Sequence, residues 1–210
     1  QDAFKYIRNK NFNISIHAGE AFGLESIWQA IQICEAHRIG HGTRLVEDMT
    51  IENGQILKMS SLAHFVKDKR IPLEMCLTSN VGTGAVESYE EHPFPLFFKN
   101  NFRVFLCSDN RLMSDTSLTK EMEIAVEKYG MNVRDLEKIT INAMKSAFGI
   151  YSICLFLSTV LSRLFMAMMD SWETLYLRAM LPSCSPLLTL CFFLEYFFML
   201  LPDNSHPSST

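Results

Sequence analysis

Ile14 and Ile16 alternate with Ser15 and His17, the two-residue period that puts apolar side chains on one face of a strand and polar ones on the other. A strand is therefore expected over 12–17, ended by Gly19 and Gly23. Leu24, Ile27, Trp28 and Ile31 then recur at helical spacing and predict an amphipathic helix over 24–34. The same alternation continues to about residue 148. Further strands are expected over 38–41, 73–77 and 102–107. Further helices are expected over 53–70, with Ile56, Leu57, Met59 and Phe65 as core candidates, near 89–99, and over 116–129 and 134–148. Strand–helix units in succession read as a parallel sheet with crossover helices, class α/β.

In each unit the chemically capable side chains fall at the C-terminal end of the strand: His17, His41, the group Thr78-Ser79-Asn80, and Asp109. That end is the active-site face of a (β/α)8 barrel, and a doubly wound sheet binds ligands there too, so periodicity leaves both architectures open. Four units amount to half of an eight-stranded barrel.

From Gly149 the pattern changes. Ile150 to Met169 and Pro186 to Leu201 are apolar runs, interrupted by Arg163 and Glu195. About twenty apolar residues can cross a bilayer, but a central Arg costs about 2.5 to 3.5 kcal/mol on insertion scales. Two readings stand for this tail: a membrane or core segment, or text that did not evolve as protein, such as a translated intron or shifted frame. The chain divides accordingly into 1–148 and 149–210.

Composition narrows the partners. A net charge of -4 without a dense Lys/Arg run argues against a nucleic-acid surface and toward a small molecule. A membrane partner enters only if the tail is genuine, and nothing in the pattern sets an oligomeric state. The six cysteines are scattered and form no C-x-x-C, the usage of reduced thiols in a cytoplasmic protein. The first residues show no basic and apolar leader, so no secretory signal is expected.

A neutral imidazole at a strand end, such as His17, can be aimed rigidly at zinc, and Asp109 can add a carboxylate oxygen. Either residue alone reads first as a capping or loop hydrogen-bonding group. Glu20, three residues after His17 across a glycine turn, suits a general acid or a first-turn acid facing the following helix dipole. His41 lies between Gly40 and Gly42, which let the backbone turn sharply; it suits orientation or deprotonation of a water, or an ordinary turn.

Together, His17-Ala18-Gly19-Glu20, Arg38-Ile39-Gly40-His41-Gly42, Cys76-Leu77-Thr78-Ser79-Asn80 and Ser108-Asp109-Asn110 resemble the successive motifs of the adenosine deaminase family. The run Asn142 to Phe148 is similar to its C-terminal helix. The resemblance implies the last four strand–helix units of a TIM barrel and a zinc-dependent hydrolytic deamination of a 6-aminopurine nucleoside, adenosine first. It implies His17 and Asp109 as zinc ligands and Glu20 as proton donor to the purine ring. It further implies that His41 steers the attacking hydroxide and that Gly19, Ser79 and Asn110 contact substrate.

The family's remaining two ligands form a His-x-His pair, which this chain lacks; His37, His64, His92 and His206 are singletons. The chain alone is therefore expected to bind zinc poorly and to be inactive. Asn110 stands where many members carry a second Asp. The competing reading is a non-catalytic purine-binding barrel fragment or a membrane-tethered pseudoenzyme.

Overall fold

The computed structural model describes residues 2–149. In chain order the elements begin with α1 (Asp2–Asn9), β1 (Ser15–Ala18), α2 (Leu24–Gln32) and β2 (Arg38–His41). A 3-10 turn (Thr43–Asp48) leads to β3 (Met49–Glu52), β4 (Gln55–Met59), α3 (Ser61–Asp68) and β5 (Leu73–Met75). Then follow α4 (Leu77–Gly82), α5 (Phe94–Lys99), β6 (Val104–Leu106), α6 (Arg111–Ser114), α7 (Leu118–Tyr129) and α8 (Val133–Ser146).

Strands β1, β2, β5 and β6 lie side by side in that order, all parallel, with Ile39 opposite both Ile16 and Leu73, and Leu73 opposite Val104. The period of two sends Ile14, Ala18, Ile39, Leu73, Met75, Val104 and Leu106 into the core. They meet Ile27, Ala30 and Ile31 of α2, Leu62, Ala63 and Val66 of α3, Phe94 and Phe97 of α5, and Leu136 and Ile139 of α8. The opposite face carries Ser15, His17, Arg38 and Glu74 together with the buried Phe105. There Arg38 ion-pairs with Glu74, donates to the Ser146 carbonyl at 2.9 Å, and lies 4.1 Å from the centre of the Phe148 ring. Within the described residues the sheet is an open arc with β1 and β6 at its edges.

Asn142 anchors α8 to the sheet by donating to the Val104 carbonyl at 3.0 Å. The helix starts at a capping box: Asn132 accepts from Arg134 N and Asp135 N, and Asp135 accepts from Asn132 N, satisfying backbone donors that have no intrahelical partner.

The α/β class and the parallel pairing of the strands are those expected from the alternation, with corrections. The helix expected over 53–70 is a β3–β4 hairpin followed by the shorter α3. Its turn is Asn53-Gly54, with φ of +51° and +73°, the left-handed pair that matches the twist of two-residue hairpins. Leu57 consequently faces solvent at 59% exposure, while Ile56, Met59 and Phe65 pack against the core. Trp28, placed on the buried stripe of α2, is exposed, and Ala30 occupies that stripe instead. The strands expected over 12–17, 73–77 and 102–107 are shorter, and residues 78–80 belong to α4. The apolar runs after residue 149 lie outside the described residues. Among the described residues no helix is long and apolar enough to cross a membrane.

A Cβ built on Gly54 meets nothing within 4 Å, so substitution there isolates backbone strain. Gly54→Ala is expected to cost about 1 kcal/mol in urea denaturation, the penalty of a left-handed L-residue. No measurable loss would mean that the turn relaxes into another form.

Candidate active site

The mouth of the arc is assembled at the C-terminal ends of β1, β2 and β6. His17 stands opposite Gly40, and a Cβ at position 40 would lie 2.6 Å from His17 Cδ2, so the glycine is what leaves room for the imidazole. Gly19 turns the chain at φ +67°; a Cβ there would lie 2.5 Å from Ile27 Cδ1. Its amide donates to Ser26 Oγ at 2.8 Å, and its carbonyl accepts from Thr43 Oγ1 at 2.7 Å and Arg44 N at 2.9 Å. This pinned turn carries Glu20 over the mouth.

His41 and Gly42 are successive left-handed residues, at φ +66° and +68°, and Asp109 has φ +52°. Non-glycine residues pay for this conformation in strain, which accumulates at functional sites.

The structure brings His17, Glu20 and His41 together. His41 Nε2 lies 3.3 Å from His17 Nδ1 and 3.4 Å from Glu20 Oε2, and one ligand atom from each residue lies within 4.8 Å of the others. Glu20 Oε1 accepts from Thr83 Oγ1 at 3.2 Å. Asp109, at the same mouth, accepts from Ser79 Oγ at 2.7 Å instead of joining that trio, and its charge acts on His41. His41 is 1% exposed; burial pushes its pKa down, with His17 reinforcing the shift and Glu20 and Asp109 opposing it.

The residues expected to touch substrate also have partners within the chain. The polar backbone groups of Gly19 hold the turn, and the Ser79 hydroxyl holds Asp109. Asn110 is exposed and accepts from Met113 N at 3.2 Å, capping α6. A cavity of about 350 Å³ opens beside Glu20, lined also by Arg44, Thr83 and Gly84. Its volume falls within the range of small-molecule sites.

His92 was legible only as an isolated histidine, yet it belongs to this cluster. It is 2% exposed, and its Nε2 lies 3.1 Å from Asn80 Oδ1, while Asn80 Nδ2 lies 2.9 Å from His41 Nδ1. Burial, followed by the charge of His41, lowers the His92 pKa to about 3. The available signal is local: His92 precedes Pro93, and its Nδ1 accepts the first helical amide of α5, Phe94 N, at 3.1 Å. Asn80 itself is held from behind. Buried Glu121 accepts from Thr78 N and from Thr116 Oγ1, fixing the first turn of α4.

Imidazole nitrogen with carboxylate oxygen is a donor set zinc accepts, so His17 together with the carboxylates at the mouth suits such an ion by donor type.

A parallel arc with His17, Glu20, His41 and Asp109 at its C-terminal mouth has the architecture of part of a (β/α)8 barrel, with its chemically capable groups on the active-site face. The chain belongs to the adenosine deaminase family, whose model matches residues 1–150. Over 147 residues it is 54% identical to the adenosine deaminase of Mycobacterium leprae, an overlap covering 70% of this chain and 41% of that protein. It thus spans less than half the length of the curated relatives it matches. Among solved structures it is similar to the N6-methyl-AMP deaminase of Arabidopsis thaliana, with a TM-score of 0.61, 26% identity, and coverage of 76% of this chain and 43% of the other. An amidohydrolase of B. ambifaria with bound zinc shares the fold at a TM-score of 0.69 and 16% identity, with coverage of 82% and 46%.

Proposed function

We propose that the whole protein containing this chain hydrolyses adenosine to inosine and ammonia, with residues 1–148 contributing the second half of a zinc-dependent barrel and 149–210 a separate tail. The observation that carries this reading is the approach of the Glu20 carboxyl and the His41 imidazole, 3.4 Å apart, beside His17 at one mouth. Relatives named adenosine deaminase support the choice of adenosine.

In this reading His17 and Asp109 hold the metal, with further ligands from outside this chain. Zinc, when bound, supplies the Lewis acidity that makes water nucleophilic at neutral pH. Glu20 gives its proton to the purine ring nitrogen beside the reacting carbon as water adds, and the amino group leaves as ammonia. His41 orients the water. Thr83 holds the other oxygen of Glu20 and so fixes the direction of its proton. Gly19, Ser79 and Asn110 are the substrate-side residues in the family resemblance; here Ser79 acts through Asp109, keeping that carboxylate pointed at the mouth.

Comparison of kcat/KM for adenosine, adenine and AMP tests the substrate. Adenosine is expected to give the highest value, and a higher value for AMP or adenine would move the assignment. The 210-residue chain alone, which has no His-x-His pair, is expected to retain little zinc through gel filtration and to form no inosine. Stoichiometric zinc with turnover would show that its own residues suffice.

A further inference from the structure

Three buried side chains stand in line behind the mouth, His92, Asn80 and His41, at 2%, 0% and 1% exposure. The hydrogen-bonding direction along this line is set by one group that has no choice, a backbone amide. Phe94 N–H donates to His92 Nδ1, so that nitrogen carries a lone pair. A neutral His92 then has its proton on Nε2, which can only donate to the Asn80 carbonyl oxygen, 3.1 Å away. With its oxygen so engaged, Asn80 presents its NH2 to His41 Nδ1 at 2.9 Å, and that nitrogen must accept. The proton of neutral His41 is left on Nε2, facing Glu20 and His17.

We propose that His92 and Asn80 are positioning residues that lock His41 as the Nε2–H tautomer, making it a hydrogen-bond donor at the mouth and barring it from metal coordination. Distances alone would allow His17, Glu20 and His41 to share an ion. The proton direction removes His41 from that set: ligation through Nε2 would require a proton on Nδ1, face to face with the Asn80 NH2. This agrees with the roles that the deaminase reading gives His17 and His41. The catalytic half of this statement rests on the deaminase reading above, whereas the tautomer does not.

Long-range proton–nitrogen correlation spectra of the 15N-labelled 210-residue chain test it without activity. His41 is expected to show a protonated Nε2 and a bare Nδ1, and His92 the same pattern. A protonated Nδ1 on His41 would overturn the proposal. His92→Gln retains a donor toward Asn80 and should keep the His41 pattern. His92→Phe removes that donor, frees the Asn80 amide to turn over, and should populate the Nδ1–H form. An unchanged His41 in a folded His92→Phe chain would exclude His92 from the line.

Asn80→Asp replaces the donor to His41 with an acceptor, which draws the proton to Nδ1 and exposes the Nε2 lone pair. The affinity of the chain for zinc alone, read by competition with a chromogenic chelator, should then rise by about 10- to 100-fold, the range found when a group hydrogen-bonded to a metal ligand is changed. A folded Asn80→Asp chain with unchanged zinc affinity would contradict the lock. Failure of adenosine turnover in the whole protein would leave the nitrogen spectra intact, so the two readings fail separately.

Discussion

Glu20→Gln in the whole protein is expected to lower kcat by about 10²- to 10⁴-fold, the contribution of a positioned general acid. Zinc content should stay unchanged. The side chain sits at the mouth with 23% exposure, its oxygens 3.4 Å from His41 Nε2 and 3.2 Å from Thr83 Oγ1. A glutamine has nearly the same shape, and its carbonyl can still accept from either neighbour. It has no acidic proton to give to a purine nitrogen. An interaction lost mainly in the transition state lowers kcat and kcat/KM together, so KM should change little. The rate is followed by the absorbance change from adenosine to inosine, with zinc measured on the same samples. Zinc loss parallel to the rate loss would reassign Glu20 to the metal, in place of the proton.

Acidification from pH 7 to 4.5 is expected to destabilise the chain by about 2 to 3 kcal/mol through His92 alone, at about 1.4 kcal/mol per pH unit below the unfolded pKa. The unfolded chain protonates this ring near pH 6.5, while burial holds the folded ring neutral to about 3. Across that interval the unfolded state binds the extra proton, so stability falls as pH falls. The penalty is structural as well as electrostatic: the folded ring is 2% exposed, with Nδ1 committed to Phe94 N and Nε2 to Asn80. Urea denaturation of the parent and of His92→Gln at both pH values isolates this group from the carboxylates. The parent should lose about 2 to 3 kcal/mol more than the variant. Equal losses would mean that His92 is protonated in the folded chain.

Much of this molecule is legible in its sequence, for definite reasons. The Ile14/Ile16 alternation marks the strand that carries His17. His17, Glu20, His41 and Asp109 stand out because each is a chemically capable group at a strand end, a position that parallel topology makes common to all of them. The hairpin was masked by the helical spacing of Ile56 and Met59, although Asn53-Gly54 carries a hairpin signal of its own. Trp28 fits the α2 stripe in sequence, but Ala30 is the residue buried there and Trp28 is exposed.

His92 could not be read as part of the site. Its link to His41 runs through Asn80, across residues 12 and 39 positions apart, and exists only once α4 and α5 pack beneath the mouth. Ser79 stands out at a strand end, but its bond to Asp109, 30 residues away, is likewise not legible in the sequence. Periodicity places residues on faces; it does not say which acceptor a buried donor will meet.

Incubation of the zinc-loaded whole protein with adenosine, with inosine and ammonia measured in the same sample, tests whether these strand-end residues serve a purine deaminase. Equimolar formation of both products is the expected result. A folded, zinc-loaded protein that releases no ammonia from adenosine, adenine or AMP would contradict it.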